Sequence, residues 1–162
     1  MFSGAAPIAT SKAELYQELR SQMTSLLEGE PDAIADAANT AALLYHSMPD
    51  VNWVGFYFLK SNELVLGPFQ GKPACVRIPL GKGVCGTAAG RRQSIMVPDV
   101  NAFPGHIACD SASRSELVVP LVKHGALLGV LDLDSPMLGR FDETDRTGCE
   151  SLVRIYMESF KE

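Results

Sequence analysis

The sequence predicts an α+β domain with a central antiparallel sheet, helices mainly on one face of the sheet and long loops on the other. Helical periodicity at both ends of the chain encloses segments rich in aromatic and β-branched residues. Those segments occur in pairs separated by short turns, a spacing typical of antiparallel hairpins. The chain has 162 residues, 46% of them hydrophobic, which predicts a single domain over residues 1–162 with a flexible segment at 1–10.

Three main helices are predicted from periodicity and end signals. The first begins at Ser11, which has capping-box spacing to Glu14. The second begins near Pro31 and ends near Met48, and Asp142 is expected to cap the last helix. Their apolar stripes are Leu15, Leu19, Met23, Leu26 and Leu27 in the first helix, Ile34, Ala38, Ala41 and Tyr45 in the second, and Cys149, Leu152, Val153, Tyr156 and Phe160 in the last.

Two hairpins supply most of the predicted sheet. Ser61–Asn62 joins the arms of the first, and the second turns around Lys123-His124-Gly125. Between Gly71 and Gly105 the chain is irregular except for a short helix near 84–89, and long irregular segments in compact domains usually have a function. The predicted strands are 52–60, 64–69, 94–97, 117–122 and 126–134.

Charge and hydropathy exclude several classes of partner. A net charge of −5 argues against nucleic-acid binding, which favours a basic surface. No stretch approaches the roughly twenty apolar residues that span a bilayer. The first residues contain neither a basic region nor an apolar run, so no secretory signal is predicted and a cytoplasmic location is expected.

Three of the four cysteines lie in segments rich in glycine, proline or serine. Cys75, Cys85 and Cys109 are reachable if these segments are loops, and a thiol near backbone N–H groups or a cation can ionise and react. Cys149 instead continues a helical apolar stripe and is expected to be a core residue. The three thiols together predict redox chemistry with a nucleophile and a resolving partner.

Three carboxyl groups are expected at one edge of the sheet. Asp132 and Asp134 share a strand face with Leu128 and Val130, because residues two apart point the same way. Glu116 opens the neighbouring antiparallel strand and therefore lies beside the end of the first. Such a group could bind an ammonium or retain a proton through mutual repulsion. The alternative is that the strand simply enters solvent before a turn.

Trp53 and Tyr57 are expected on one face of the first strand, with Gly55 between them. Packing in the core would explain both aromatic residues. A second interpretation is that they form the wall of a ligand pocket, where tryptophan commonly contacts a methyl group or a cation.

The sequence argues against two other kinds of site, a phosphate-binding loop and a zinc site. The glycine-rich segment before Cys85 lacks the Lys-Ser or Lys-Thr pair of a phosphate-binding loop. His106 and Cys109 could bind zinc with Cys75 and Cys85, but the usual Cys-x-x-Cys pairing is absent. No metal is therefore predicted.

Four segments resemble the free methionine-(R)-sulfoxide reductases, which are single GAF-domain enzymes. They read NWVGFYF, GPFQGKPACVRIPLGKGVCGTAA, VPDVNAFPGHIACDSASRSELVVPL and LLGVLDLDSP. The resemblance extends from the second predicted helix to the last, and all three loop cysteines fall at the family's spacing. It implies a GAF fold whose long loops cover the ligand, and reduction of free L-methionine (R)-S-oxide to L-methionine.

The resemblance also implies a role for each candidate residue. Cys109 would be the nucleophile, Cys75 would form a redox disulfide with it, and Cys85 would be an auxiliary thiol. Trp53 and Tyr57 would line the pocket, and Glu116, Asp132 and Asp134 would bind the polar parts of the substrate. No cofactor or metal is implied. Thioredoxin or a similar dithiol would regenerate the enzyme, which is commonly a homodimer in this family.

The residues themselves are suited to this chemistry. A sulfoxide oxygen leaves only when it is protonated, and crowded acids near Glu116 could supply the proton. We expect Glu116 and Asp134 near the sulfoxide and Asp132 near the ammonium. The rival interpretations are a GAF sensor that binds a small ligand and a thiol switch without a substrate.

Overall fold

The computed structural model describes residues 11–107 and 110–161, which fold into four helices, six strands and one 3-10 turn. In chain order these are α1 (Lys12–Leu27), α2 (Ala33–Ser47), β1 (Trp53–Lys60), β2 (Glu63–Gln70), β3 (Arg77–Pro79), α3 (Gly83–Arg91), β4 (Ile95–Val97), the 3-10 turn (Val100–Ala102), β5 (Ser115–Lys123), β6 (Ala126–Ser135) and α4 (Glu143–Ser159).

The six strands form one antiparallel sheet in the order β3-β2-β1-β6-β5-β4. Both predicted hairpins are present, as β1–β2 and β5–β6. Ser61 and Asn62 both have positive φ values, of 50° and 64°, as the tightest hairpin turns require. A single antiparallel sheet with four helices confirms the α+β prediction. The pairing places β1, β6 and β5 side by side.

The outer helices begin where their capping residues predicted. The Ser11 hydroxyl accepts a hydrogen bond from the Glu14 backbone N–H at 3.2 Å. Asp142 caps α4 with a complete capping box that includes Asp145. Each cap satisfies N–H groups that the first helical turn leaves without a partner.

The prediction for α2 is two residues early at its start and wrong for part of its buried face, although Ala41 is buried as predicted. Asp32, and not Pro31, precedes the helix, and its carboxylate accepts from the N–H groups of Ile34 and Ala35, both at 2.9 Å. Ile34 is 55% exposed, whereas Ala37 and Leu44 are fully buried. A helix rich in alanine has a weak periodic signal, so packing against the sheet decides which face is buried.

The two faces of the sheet have different covers. α1, α2 and α4 pack on one face against side chains that include Phe56, Leu117 and Leu131. α3 and the connecting segments cover the other face, around Tyr57, Val118 and other buried residues. Most helical mass therefore lies on one side, as predicted, while one short helix and the loops enclose the side that carries the candidate residues.

Two strand details differ from the sequence prediction. β3 was missed because its three residues end in proline and carry almost no periodic signal. In β6, the pairing passes from Leu121–Gly129 to Val122–Leu127, which leaves Leu128 in a bulge. Leu128 consequently packs on the helical face and does not share a face with Asp132.

Within the described ranges, no helix combines the length and apolar character that crossing a membrane requires.

Candidate active site

The three predicted acids meet on the face of the sheet that α3 covers. Glu116 on β5 lies directly opposite Asp134 on β6. Asp132, two residues before Asp134, pairs with Val118 on one side and with Gly55 on the other. Glu116 and Asp132 are 5% and 6% exposed, so these carboxyl groups are not solvated surface. The alternative in which the strand simply emerges into solvent is therefore wrong.

Burial and mutual repulsion keep protons on two of the acids. Burial, followed by the charges of Asp132 and Asp134, raises the pKa of Glu116 well above its usual value. Burial, followed by the charge of Asp132, raises the pKa of Asp134 in the same direction. Both groups can consequently serve as proton donors near neutral pH.

Asp132 differs from its two neighbours because its pKa rises less. Burial raises this pKa to about 6, while hydrogen bonds from Glu116 and Cys85 oppose the rise. The Asp132 carboxylate is therefore ionised at neutral pH. Its Oδ1 atom is buried and has no hydrogen-bond partner among the residues that the structure describes. An unpartnered buried anion is suited to a ligand cation.

Cys85 lies within α3 and contacts the acids directly, so the prediction of a reachable loop thiol is wrong for this residue. Its Sγ donates to Glu116 Oε1 across 3.8 Å, and the side chain is buried. Burial, followed by the charge of Asp132, raises the pKa of this thiol well above its usual value. The helix N-terminus predicted a lower pKa, but desolvation and the acidic neighbours outweigh it.

Trp53 and Tyr57 form an aromatic wall beside the acids, and both are buried. Their rings stack with centroids 6.0 Å apart, and the Phe69 ring also stacks with Trp53 at 5.3 Å. A Cβ atom at Gly55 would collide with the indole ring, so glycine at this position lets the ring lie across the strand. The two aromatic residues therefore serve both core packing and the lining of a cavity.

The aromatic wall also holds the segment that carries Cys75. The Trp53 indole N–H donates to the Lys72 carbonyl at 3.0 Å, and the Tyr57 hydroxyl donates to the Cys75 carbonyl at 2.9 Å. Cys75 itself is disulfide-bonded, whereas Cys85 is a free thiol. Cys109 lies outside the described residues.

His106 reaches the acids from the loop side of the cavity. Its Nε2 atom is 3.8 Å from Glu116 Oε2, and the imidazole side chain is 15% exposed. Burial lowers the pKa of His106, which keeps the ring neutral at neutral pH. The sequence does not predict this contact, because a contact between a loop and a distant strand leaves no periodic pattern.

The cavity brings together most of the predicted residues. It is lined by Trp53, Tyr57, Lys72, Pro73, Ala74, Ile78, Gly83, Val84, Cys85, His106, Ile107, Asp110, Ser113, Glu116, Asp132 and Asp134. Among the described residues, the sequence prediction missed Lys72, Ile107 and Asp110, which belong to the loops that cover this face. Cys149 is not part of the cavity and is fully buried in the helical core, as predicted.

Cys75 is not a zinc ligand in this structure, because a disulfide sulfur is not a thiolate. Single atoms of Cys85, Glu116 and Asp132 do lie within 4.8 Å of one another, a spacing that a cation could accept. Their thiol and carboxyl pKa values are raised, however, so protons already occupy much of this cluster. The cluster is better suited to proton donation than to metal binding.

Comparison with known proteins agrees with this geometry. The GAF domain model matches residues 13–155. Free methionine-R-sulfoxide reductase of Escherichia coli is 53% identical over 143 residues, which cover 88% of this chain and 87% of that protein. The enzyme of the same name from Saccharomyces cerevisiae is 41% identical over 157 residues, covering 92% and 87%.

A solved structure gives the same result for the fold. Free methionine-R-sulfoxide reductase from Neisseria meningitidis, in complex with its substrate, superposes with a TM-score of 0.95 at 48% identity. The match covers 99% of this chain and 96% of that chain. The resemblance seen in the sequence is thereby confirmed over the sheet, the helices and the covering loops. The chain belongs to the free methionine-(R)-sulfoxide reductase family of GAF-domain proteins.

Proposed function

We propose that this protein reduces free methionine (R)-S-oxide to methionine with electrons from a dithiol. The activity named for its Escherichia coli and Saccharomyces cerevisiae relatives supports the reaction, and the substrate complex of the Neisseria meningitidis relative supports binding of the free amino acid. The observation that carries the proposal is the acid cluster: two carboxyl groups with raised pKa values beside one ionised carboxylate, facing an aromatic wall.

Three parts of the substrate have a matching group in the cavity. Glu116 and Asp134 hydrogen-bond the sulfoxide oxygen through the protons that they retain. Asp132 binds the ammonium, for which its unpartnered Oδ1 atom is an available acceptor. The Trp53 ring contacts the terminal methyl group, and Tyr57 holds the adjoining Cys75 segment in place.

The first half-reaction transfers oxygen from the substrate to the protein. The Cys109 thiolate attacks the substrate sulfur while Glu116 protonates the sulfoxide oxygen. The oxygen, now a hydroxyl, passes from the substrate sulfur to the Cys109 sulfur, while the transient bond between the two sulfur atoms breaks and methionine leaves. Cys109 is oxidised to a sulfenic acid whose hydroxyl contains the transferred oxygen and proton.

The second half-reaction restores the thiols. The Cys75 thiol attacks the sulfenic acid sulfur of Cys109, which forms a Cys75–Cys109 disulfide and releases water. Thioredoxin or a similar dithiol then reduces the disulfide and is itself oxidised. Cys85 is an auxiliary thiol that can enter this exchange only after the segment around it opens, because it is buried and protonated at rest. A cytoplasmic location and a homodimer are part of the same proposal.

The cluster favours a free amino acid over a methionine sulfoxide residue within a chain. A peptide bond would replace the ammonium with a neutral amide and leave Asp132 as a buried charge without a partner, which costs several kcal/mol. The test is turnover with dithiothreitol of free and N-acetylated methionine sulfoxide, each as separated epimers. We expect activity on the free R epimer. Comparable activity on the N-acetylated compound, or a preference for the S epimer, would contradict the proposal.

Cysteine variants test the covalent steps. Cys109→Ser should abolish both single-turnover methionine release and sulfenic acid formation, whereas Cys149→Ser, a change in the core, should retain them. Cys75→Ser should release methionine once per site but recycle slowly with thioredoxin. Substantial release by Cys109→Ser would remove Cys109 from the mechanism, and a dominant Cys75–Cys85 bridge after oxidation would reassign the resolving thiol. Tight ligand binding without turnover would identify a sensor instead.

A further inference from the structure

Cys85, Glu116 and Asp132 bring one sulfur atom and two carboxyl groups together in the cavity. Single atoms of the three residues lie within 4.8 Å of one another, and all three side chains are buried. The Cys85 Sγ atom is 3.8 Å from Glu116 Oε1. In a tetrahedral zinc site, Zn–S and Zn–O bonds of about 2.3 and 2.0 Å place sulfur and oxygen roughly 3.5 Å apart. Small side-chain movements would therefore bring these atoms within bonding distance of one ion.

Asp132 is the residue that indicates a ligand at this point. Its side chain is 6% exposed, and within residues 11–107 and 110–161 its Oδ1 atom has no hydrogen-bond partner. It lines the same cavity as Cys85 and Glu116. A buried carboxylate oxygen without a donor or a cation is an incomplete interaction. The ammonium of the proposed substrate is one cation that would complete it, and a metal ion is another.

The kinds of donor atom select the kind of ion. Zinc and similar borderline-soft ions bind thiolates as well as carboxylates, whereas Mg²⁺ and Ca²⁺ prefer oxygen ligands alone. Three protein ligands and one water are the usual ligand set of an open zinc site. The His106 Nε2 atom is 3.8 Å from Glu116 Oε2, so the imidazole can orient this carboxylate from outside the ligand set.

Exchange of two protons for one zinc ion would leave the charge of the cavity unchanged. At neutral pH Asp132 is ionised, whereas burial and the neighbouring acids raise the pKa values of Cys85 and Glu116 further and keep both protonated. Binding of Zn²⁺ adds two positive charges and releases the two protons to solvent. The ion therefore adds no buried charge to this part of the protein.

We propose that Cys85, Glu116 and Asp132 form a binding site for Zn²⁺ or a similar borderline-soft divalent cation, and that this ion and the free amino acid exclude each other. Binding of the ion goes beyond the proposed reductase activity. The exclusion rests on that function, because the ion occupies the Asp132 oxygen assigned to the ammonium and displaces the Glu116 proton assigned to the sulfoxide. The ion is therefore an inhibitor and not a cofactor.

Cobalt spectroscopy tests the site without turnover. The protein is used without a histidine tag and with Cys75 in its disulfide, so that Cys85 and Cys149 are the free cysteines of the described residues. Co²⁺ is added as the probe, and a thiolate-to-cobalt charge-transfer band in the near ultraviolet reports a sulfur ligand. We expect this band in wild type with one ion per chain. Zn²⁺ should displace Co²⁺, and an excess of Mg²⁺ should not.

Two variants and one control assign the ligands. Cys85→Ser should abolish the band, whereas Cys149→Ser, which removes an equally buried thiol, should retain it. Asp132→Asn should weaken Co²⁺ binding by more than about 10-fold, since even changes beside metal ligands cost that much affinity. It serves as a test that is independent of Cys85, and thermal melts show that each variant is folded. A band that persists in Cys85→Ser, or is lost in Cys149→Ser, would overturn the site.

Competition tests the exclusion. Free methionine (R)-S-oxide, which the oxidised protein cannot reduce, should raise the apparent dissociation constant of Co²⁺ in proportion to its concentration. Alanine, which chelates the free ion through the same amino and carboxylate groups, should have a much smaller effect. Independent binding of Co²⁺ and the sulfoxide would overturn the exclusion. No band in wild type would overturn the metal site and leave the proposed function intact, whereas a normal band in a protein without reductase activity would overturn only that function.

Discussion

Two sites on opposite sides of the sheet bury carboxyl groups, and they differ in whether cations lie beside those groups. On the helical side, Asp145 is fully buried and compensated by Lys12 at 2.6 Å, by Arg140 at 3.3 Å and by the Tyr16 hydroxyl at 2.8 Å. On the cavity side, the described residues provide no lysine or arginine ion pair to Glu116, Asp132 or Asp134. Both sites bury carboxyl groups, but only the first places cations against them, with the Arg140 side chain buried and Lys12 partly exposed.

This difference corresponds to two roles: the first site stabilises the fold, and the second retains protons. A buried carboxylate with cations and hydrogen bonds around it ties secondary-structure elements together, here α1 to α4. Buried acids without cations retain protons, because ionisation is unfavourable. The protein thereby stores proton donors where the proposed reaction needs them, and the rest of the fold must offset their cost.

The largest expected effect is on catalysis at the cavity acids. Glu116→Gln and Asp134→Asn should each lower turnover of free methionine (R)-S-oxide by about 10²–10³-fold, because a donor matters most as charge develops on the leaving oxygen. Their free energies of unfolding should be unchanged or higher, because a neutral amide does not have to take up a proton when the chain folds at neutral pH. Steady-state kinetics and urea unfolding measure the two quantities. Unaltered turnover in both variants would mean that the acids are not donors.

The second effect is on stability at the compensated site. Asp145→Asn should lower the free energy of unfolding by about 3 kcal/mol, because it leaves Arg140 buried without its partner. Turnover by the folded protein should stay near wild type. The matched control is Glu143→Gln, which breaks an exposed ion pair with Arg146 and should change the free energy of unfolding far less. Equal losses of unfolding free energy in Asp145→Asn and Glu143→Gln would contradict a structural role for the buried Asp145 site.

A third and smaller effect is the pH dependence of stability. The folded-state pKa of Asp132, about 6, lies above the usual 3.8, so in that interval the folded protein binds more protons than the unfolded chain. The free energy of unfolding should therefore fall as pH rises from 3.8 to about 6 and beyond, because the pKa values of Glu116 and Asp134 are raised as well. Glu116→Gln should flatten this slope. A slope that Glu116→Gln does not change would mean that other titratable groups cause the pH dependence of stability.

The smallest expected effect concerns the hydrogen bond between the wall and the Cys75 segment. Tyr57→Phe removes the donor to the Cys75 carbonyl and should cost about 1 kcal/mol of stability. It should also slow formation of the resolving disulfide more than methionine release. Rapid-quench measurement of both steps, with Tyr45→Phe on α2 as the control, would show the difference. Equal rates for both steps in wild type and variant would limit Tyr57 to packing.

The sequence predicted those parts of the site that follow from strand periodicity and hairpin pairing. Antiparallel pairing alone placed Glu116 beside Asp134, and alternation alone placed Trp53 and Tyr57 on one face. The redox interpretation and the family came from the spacing of three cysteines within long matching segments. Such patterns can be recognised in a sequence because they depend on only a few neighbouring residues.

The errors arose where distant contacts outweighed a local pattern. The bulge at Leu128 depends on how β5 pairs with β6, and the buried face of α2 depends on what covers it. Cys85 has the position of an activated thiol at a helix N-terminus, yet acids from two other strands reverse the direction of its pKa shift. The contact of His106 with Glu116 joins a loop to a strand and has no sequence signature.

The protonation state of Glu116 tests the central claim most directly. A ¹³C NMR titration of carboxyl-labelled glutamate, with the Glu116 signal assigned by its loss in Glu116→Gln, reports that state in the free protein. The account predicts that the Glu116 carboxyl is protonated at pH 7, because burial, Asp132 and Asp134 raise its pKa well above 4.5. A Glu116 carboxyl that is ionised at pH 7 and titrates near 4.5 would contradict it.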